Sequence, residues 1–275
     1  MKKRAVLIGI NYFDQEGELK GCIQDIRNVF IMLLSKGFTE FTVLHDGKQE
    51  HFPEYNIDDV KTPTAENIRF ALKKIISNSE DGDMVYWHYS GHGSTLDDTN
   101  GDERDGKDET ICPVDFDFEK KDSGFIRDDE LRWILCEHDK DVKLRVVLDC
   151  CHSGSGMDLP FMWRYYSSII RKDYATEEGA KLDKDVKFIS GCKDYQTSAD
   201  SQDDNGMPSG ALTWAFLKTL KEIDTANAKS KKQVNYSWRE FTEMLRYKLR
   251  KGGYEQIPQL CVCKKADVEN IIDIV

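Results

Sequence analysis

The sequence has few cysteines and no long apolar run, and each shortage excludes a class of protein. Eight cysteines in 275 residues, with no repeating pair spacing, are too sparse for a scaffold held by disulfides. Reduced thiols are typical of the cytoplasm, so we expect a cytoplasmic protein. The apolar runs fall far short of the ~20 residues that a membrane helix needs, so we expect no membrane partner.

The sequence also has fewer basic than acidic residues. The 39 lysines and arginines are outnumbered by 50 acids, and the formal net charge is −11. Such a chain is repelled by phosphate backbones, so we expect no nucleic-acid partner, whereas cationic substrates and metal ions suit it. With 39% hydrophobic and 32% charged residues, the composition is that of an ordinary globular protein.

Short apolar runs rich in β-formers alternate with longer amphipathic stretches along the chain. The runs predict strands over 4–10, 41–44, 84–90, 144–149, 186–190 and 259–263. The amphipathic stretches predict helices over 22–37, 64–78, 128–137, 210–223 and 237–253. This alternation predicts an α/β fold over residues 1–275, with a mostly parallel central sheet and helices on both faces. Two polar stretches, 164–185 and 200–209, are predicted to be loops.

Two unusual motifs follow neighbouring predicted strands. "SGHGS" (90–94) follows the third strand, and "DCCHSG" (149–154) ends the fourth. In a parallel sheet, sites form at the carboxyl ends of the strands, so a histidine and a cysteine would meet there, as nucleophilic catalysis requires. Strand parity puts Asp149 and Cys151 on one side and Cys150 on the other. Parity alone does not choose the nucleophile, but the glycines that follow favour Cys151.

Less specific interpretations of these residues also exist. An isolated cysteine is most often a buried, inert side chain. His88 and His92 are four residues apart, as in zinc sites on helices, but the glycines around His92 disfavour a helix. The "CVC" stretch at 261–263 is better explained by alternation on a strand than by metal binding.

The motifs "YSGHG" (89–93) and "DCCHSG" together resemble the signature of metacaspases, which are cysteine peptidases of the caspase-like fold. The resemblance extends over nearly the whole chain, because "GINYF", "GCIQD", "DETICPVDF", "FISGCKDYQTSAD" and "GALTWAF" occur in the family's order. It is strongest to the type I group and its protozoan members. It implies a large-subunit-like region (1–163), an exposed linker loop (164–185), a small-subunit-like region (186–275) and a monomer.

The resemblance also implies a mechanism. Cys151 would be the nucleophile and His92 the general acid/base, while the backbone amides of Gly93 and Cys151 would form the oxyanion hole. The partners would be protein or peptide substrates, cleaved after Arg or Lys.

An acid next to a thiolate nucleophile needs an explanation, because like charges disfavour the ionised sulfur. A basic substrate side chain would supply the missing positive charge. In the resembled family Asp25 and Asp149 line the specificity pocket, and Cys22 and Ser90 complete its wall. Asp25 has an alternative interpretation as a first-turn acid favoured by the helix dipole.

The segment 97–109, "DDTNGDERDGKDE", is strongly acidic. A solvated loop is the ordinary interpretation, and the spacing does not fit an EF-hand. The resemblance implies a Ca²⁺ cofactor bound by four aspartates: Asp108, Asp128, Asp129 and Asp158. Either Asp128 or Asp129 could instead cap the helix that follows.

The resemblance further implies self-processing after basic residues in the 164–185 loop. The exposed candidates would be Arg171, Lys172, Lys181 and Lys184. The main rival function is a catalytically weak caspase-like protein that acts as an interaction or proteostasis module. A caspase-like enzyme of other specificity and a calcium buffer are further alternatives.

Overall fold

The computed structural model describes most of the chain. The described residues are 1–56, 59–101, 103, 106–117, 119–120, 123–151, 153, 156–164, 168–171, 182–191, 200–202, 206–230 and 233–274. Among the helices of these segments, none combines the length and the apolar character needed to span a bilayer.

An eight-stranded sheet forms the centre of the fold, in the order β2-β1-β3-β7-β10-β13-β8-β9. Its strands are β1 (Lys3–Gly9), β2 (Glu40–His45), β3 (Met84–Ser90), β7 (Lys143–Asp149), β8 (Phe161–Arg164), β9 (Ser168–Arg171), β10 (Asp185–Ser190) and β13 (Gln259–Val262). The pairs from β2 to β10 are all parallel, and β13, β8 and β9 extend the sheet in antiparallel fashion. The predicted α/β class with a mostly parallel sheet is confirmed.

Five helices cover the two faces of this sheet. They are α1 (Cys22–Ser35), α2 (Ala65–Ser77), α3 (Asp128–Cys136), α4 (Ala211–Lys229) and α5 (Trp238–Lys251). Helices α2 and α3 pack on one face, and α1, α4 and α5 on the other. Successive residues of β7 alternate between the two cores, with Val146 and Leu148 in the first and Val147 in the second. Two buried faces explain why the strands are continuously apolar instead of alternating with polar residues.

Local sequence signals set several helix boundaries. The Thr64 side chain accepts the backbone N–H of Asn67 at 3.2 Å and starts α2. Ser237 and Glu240 form a capping box at the start of α5. Helix α4 runs to Lys229, beyond the predicted end at 223, because the residues that follow 223 include neither glycine nor proline.

Two small sheets lie outside the central one and were absent from the prediction. One consists of β4 (Gly93–Asp97), β5 (Lys107–Ile111) and β6 (Ile126–Arg127), and the other of β11 (Asp200–Gln202) and β12 (Pro208–Gly210). Strand β4 begins directly after His92, and β12 leads directly into α4. Both small sheets therefore adjoin the carboxyl-end edge of the central sheet.

The predicted loop at 164–185 is wrong in part. Residues 168–171 form β9, which pairs with β8 at the edge of the sheet. Lys184 is half-buried, and its ammonium group donates hydrogen bonds to the carbonyl oxygens of His138 and Lys140. It is therefore not the exposed cleavage candidate that the sequence suggested. Lys172, Lys181 and the side chain of Arg171 lie outside what the structure describes.

Candidate active site

The two motifs meet because β3 and β7 are neighbouring parallel strands. Their register pairs Ser90 with Asp149, the last residue of each strand. Beyond these ends, the amide of Gly91 lies 3.5 Å from the carbonyl oxygen of Asp149. The predicted juxtaposition of the histidine and cysteine motifs at one sheet edge is thus present.

The strand parity separates the two cysteines. Cys150 is 2% exposed and belongs to the apolar core on the α2 side of the sheet, together with Leu148. Cys151 is half-buried. A thiol at the rim of the sheet can reach a substrate, whereas one enclosed by apolar side chains cannot.

The loop that carries His92 packs directly against the backbone of Cys151. A Cβ built on Gly93 would collide with the Cys151 carbonyl oxygen and lie 3.2 Å from the Cys150 sulfur. Only glycine permits this approach. The absence of a side chain at 93 therefore keeps the histidine loop and the cysteine backbone in contact.

The His92 imidazole is fixed by a carbonyl oxygen from another segment. Its Nε2 lies 2.6 Å from the carbonyl oxygen of Gly17. Because a carbonyl oxygen only accepts, Nε2 carries the proton in this contact, and Nδ1 is left as the basic nitrogen. This tautomer suits a ring that takes a proton from a neighbouring group through Nδ1.

Asp25 and Asp149 converge on the junction between β12 and α4. The Asp25 carboxylate accepts the Ser209 hydroxyl at 2.6 Å and the Gly210 amide at 3.0 Å. The Asp149 Oδ2 accepts both the amide and the hydroxyl of Thr213 at 2.8 Å. Both carboxylates are almost fully buried. The structure thus brings together both predicted pocket acids.

The N-terminus of α4 supplies part of the positive charge that the acid next to Cys151 requires. Gly210 is the N-cap of α4 and has no side chain to accept the first amides of the helix. The Asp149 carboxylate takes over that role, since it accepts the amide of the third helical residue, Thr213. Carboxylates are stabilised at this end of a helix by its dipole. This helix N-terminus compensates the carboxylate in addition to the substrate cation that the resemblance implies.

Burial and the neighbouring charge of Asp149 raise the pKa of Asp25 well above its ordinary value, although hydrogen bonds from Ser209, Gly210 and Ser90 oppose the shift. Two buried carboxylates that face one point cannot both ionise without a strong electrostatic penalty. The pair is therefore predisposed to hold a proton, or a cation, between its members.

The other two predicted pocket residues lie close to this pair. Ser90 ends β3 and is fully buried, and its hydroxyl is hydrogen-bonded to Asp25. Cys22 is the first residue of α1, the helix that carries Asp25, and is 7% exposed.

His88 lies close to the two carboxylates, and both of its ring nitrogens face hydroxyl groups, which does not suit a metal ligand. Its Nε2 is 3.1 Å from the Ser90 hydroxyl and 3.2 Å from the Thr213 hydroxyl, and its Nδ1 is 3.4 Å from the Tyr86 hydroxyl. Burial lowers the pKa of His88 to about 3, so the ring is neutral. A neutral ring hydrogen-bonds the hydroxyls without placing a permanent cation next to the two acids.

The acidic residues gather around β5 and the start of α3. Among the described residues, oxygens of Glu103, Glu109 and Asp128 lie within 4.8 Å of one another. Asp128 is the one member that the sequence analysis had named. Carboxylate oxygens at this spacing suit a hard cation such as Ca²⁺.

The other three predicted calcium ligands have different surroundings. Asp108 is buried and forms an ion pair with Arg127. Asp129 accepts the Asn100 side-chain amide at 2.7 Å. Asp158 is buried with a backbone φ of +46°, which few L-residues adopt. The N-cap of α3 is Arg127, so neither Asp128 nor Asp129 is the capping residue that the alternative required.

Several residues of the site escaped the sequence analysis. They are Gly17, Glu103, Glu109, Ser209, Gly210 and Thr213. The sequence predicts a polar loop at Ser209 and the first turn of a helix at Gly210. Their one available signal was a pair of small residues immediately before an amphipathic stretch. A hydrogen bond to a backbone carbonyl, as at Gly17, leaves no trace in residue type.

Comparison with known proteins gives consistent matches. The model of the metacaspase peptidase C14 domain matches residues 3–160. Metacaspase-1 of Eremothecium gossypii is 31% identical over 97% of this chain and 65% of its own length. Metacaspase-1 of Pyricularia oryzae is 32% identical over 98% of this chain and 74% of its own length. Metacaspase-1 of Coccidioides immitis is 33% identical over 94% of this chain and 61% of its own length. The chain therefore spans about two thirds of these relatives.

A solved structure supports the fold. A protein from Geobacter sulfurreducens aligns over 98% of this chain and 97% of its own, with a TM-score of 0.62. At 24% identity, this likeness concerns the fold alone.

The buried carboxyl pair predicts an unusual pH dependence of stability. We expect Asp25→Asn to unfold at a higher urea concentration than the wild type at pH 8, with a gain that shrinks toward pH 4. The raised pKa of Asp25 means that the folded wild type binds its proton more tightly than the unfolded chain, so wild-type stability falls as pH rises above the ordinary carboxyl pKa. Asparagine removes that dependence. Urea denaturation at the two pH values measures it.

The matched control is Asp224→Asn, which changes an exposed acid on α4. It should show no such pH-dependent gain. If Asp25→Asn were destabilised equally at both pH values, Asp25 would be a purely structural hydrogen-bond acceptor.

Proposed function

This chain belongs to the metacaspase family, as the sequence resemblance implied, and we propose that it is a cysteine endopeptidase with Cys151 as nucleophile and His92 as general acid/base. One observation carries this proposal. The accessible cysteine lies at the end of β7, against the loop whose histidine is tied through Nε2 to the Gly17 carbonyl. Cys150, enclosed in the core, is disfavoured as the nucleophile.

In the proposed reaction the Cys151 sulfur attacks the substrate carbonyl carbon while Nδ1 of His92 takes the thiol proton. The backbone amides of Gly93 and Cys151 hydrogen-bond the oxyanion. The C–N bond then breaks, and His92 gives the proton to the leaving amine. Water hydrolyses the thioester, losing a proton to His92, which returns it to the sulfur. The acid and the amine fragment are the two products.

For substrate choice, we propose cleavage after Arg or Lys. The support is the convergence of Asp25 and Asp149 on one buried point beside the nucleophile strand, with Ser90 and Cys22 close by. A guanidinium or ammonium group would neutralise two carboxylates that otherwise repel each other, with charge-assisted hydrogen bonds. A substrate aspartate would bring further negative charge to this pair, so caspase-like specificity is disfavoured.

We further propose that Ca²⁺ is the cofactor and binds at the acidic cluster beside β5 and α3. Asp128 is common to the predicted ligand set and to the observed cluster with Glu103 and Glu109. Asp108, Asp129 and Asp158 belong to the same proposed site. Bound Ca²⁺ would supply positive charge that relieves the repulsion among these carboxylates and would hold β5 to the start of α3.

Self-processing in the segment after β8 remains part of the proposal. With Lys184 held by two carbonyl oxygens, the remaining candidate positions are Arg171, Lys172 and Lys181. We propose protein substrates, a monomer and a cytoplasmic location for the chain.

The first prediction concerns the nucleophile. Cys151→Ala should reduce hydrolysis of an Arg-containing fluorogenic peptide by about a thousandfold or more, because no other group forms the thioester. Cys150→Ala, a matched change one residue away, should retain most of the activity. Full activity in Cys151→Ala would reject the assignment, and an inactive but folded Cys150→Ala would indicate that the cysteine roles are reversed.

The second prediction concerns the pocket. Asp149→Asn should lower kcat/KM for Arg and Lys peptides roughly 10- to 100-fold, because a charge-assisted hydrogen bond to the substrate cation becomes a neutral one. Asp224→Asn should leave kcat/KM unchanged. The same peptides with Asp at the cleaved position should remain poor substrates for every variant. Unaltered Arg/Lys cleavage by Asp149→Asn would remove this residue from the pocket.

The third prediction concerns calcium. A calcium chelator should abolish peptide hydrolysis, and added Ca²⁺ should restore it. Asp128→Asn should need a higher Ca²⁺ concentration for half-maximal activity, because the site loses one charged ligand. Isothermal calorimetry of Ca²⁺ binding to Cys151→Ala provides a readout independent of turnover. Activity that persists in the chelator would contradict the calcium requirement.

A further inference from the structure

Tyr12 has an unusual backbone conformation for a buried aromatic residue. It lies three residues beyond the end of β1, is fully buried, and has a φ of +54°. Side chains other than glycine, and bulky ones in particular, rarely adopt this left-handed region. Such strain persists where surrounding contacts impose it, and it concentrates at functional sites.

The contacts that hold Tyr12 in place lead to the backbone of His92. The Tyr12 hydroxyl accepts the His92 amide at 2.9 Å and donates to the Cys112 carbonyl oxygen at 2.6 Å. The Tyr89 hydroxyl, 3.0 Å from that of Tyr12, donates to the His92 carbonyl oxygen at 2.7 Å. The Cys112 amide donates to the same His92 oxygen at 3.1 Å. The backbone groups on both sides of His92 are therefore fixed.

The two hydroxyls occupy the space that a side chain at position 91 would need. A Cβ built on Gly91 would lie 2.6 Å from the Tyr89 hydroxyl oxygen and 2.9 Å from that of Tyr12. Glycine at 91 therefore allows the two tyrosines to reach the His92 backbone. This explains the first glycine of the "SGHG" motif, as contact with Cys151 explains the second.

The Tyr12 ring also contacts the imidazole itself. The two ring centroids are 4.6 Å apart, with an interplanar angle of 35°. Further along the same chain segment, the Gly17 carbonyl oxygen accepts a hydrogen bond from the Nε2–H group of His92. Residues 12–17 thus restrain the imidazole both by packing and by hydrogen bonding.

We propose that Tyr12 is a positioning residue for His92: its hydroxyl fixes the peptide that carries the histidine, and its ring fixes the plane of the imidazole. This inference rests on the proposed role of His92 as general acid/base. The phenol itself does not exchange protons in the reaction, because burial raises its pKa well above the ordinary value.

Two substitutions separate the contributions of hydroxyl and ring. Tyr12→Phe keeps the ring and removes the bond to the His92 amide, and we expect kcat for an Arg peptide to fall about tenfold with KM little changed. Tyr12→Leu removes both contacts, and we expect a fall of about 100-fold, approaching the contribution of general acid–base catalysis. A purely structural role would instead lower the fraction of active molecules without changing kcat per active site, which titration with a covalent cysteine inhibitor measures.

The matched control is Tyr55→Phe, which removes a tyrosine hydroxyl bonded to a backbone carbonyl, that of Phe41 at 3.0 Å. It should keep wild-type kcat and KM. Wild-type kcat per active site in a folded Tyr12→Phe and Tyr12→Leu would overturn the proposal. If His92→Ala and Cys151→Ala also kept their activity, the proposed function itself would fail. If His92→Ala and Cys151→Ala were inactive while both Tyr12 variants kept wild-type kcat, only the role of Tyr12 would be rejected.

A measurement on the unsubstituted side chains covers the case in which Tyr12 variants do not fold. In the NMR spectrum of Cys151→Ala, cross-peaks are expected between the ring protons of Tyr12 and the carbon-bound imidazole protons of His92. Their absence would overturn the proposal regardless of the kinetic results.

Discussion

The candidate site depends on the parallel pairing of β3 and β7 at the centre of the sheet. Their register places Ser90 beside Asp149, so the residues that follow each strand leave the sheet at the same edge. The strands are buried on both faces by two apolar cores, so a shift by one residue would move every side chain from one core to the other. One consequence is that Cys150 is enclosed while Cys151 stays accessible. The hydrophobic core thus determines which thiol is available to a substrate.

A second constraint is the burial of two like charges at the end of this sheet. Asp25 and Asp149 would destabilise the fold if both were ionised without partners. The protein offsets this by placing the N-terminus of α4 against them and by surrounding them with neutral donors, namely Ser90, Ser209, Gly210 and Thr213. His88, neutral through burial, completes the network.

Elements that have a local sequence pattern were predicted well, whereas contacts between residues far apart in the sequence were not. Six of the eight strands of the central sheet are apolar runs and all five helices have periodic apolar patterns, so their predicted positions match the structure within a few residues, apart from the longer α4. Strand β8 was not predicted. Strands β4, β5 and β6 are short and polar, so their pairing with each other left no comparable pattern. Strand β9 was missed for a similar reason, since it lies in a stretch of mixed charge. Among site residues, Asp25, Ser90 and Asp128 were named because the resemblance to metacaspases implied them, whereas Asp149 also stood out as an acid at the end of a predicted strand. Thr213 and Gly17 were missed, because their partners lie on distant segments of the chain.

The amino-acid sequence by itself determined the α/β class, the order of the main elements and the two motifs at neighbouring strand ends. These properties follow from periodicity and from the alternation of side chains along a strand, which are local. Tertiary structure alone decided that Asp149 caps α4, that Glu103 and Glu109 join Asp128, and that Tyr12 and Gly17 hold His92. Each of these contacts joins residues that are 19 to 80 positions apart, through backbone groups or carboxylates whose partners depend on how separate elements pack.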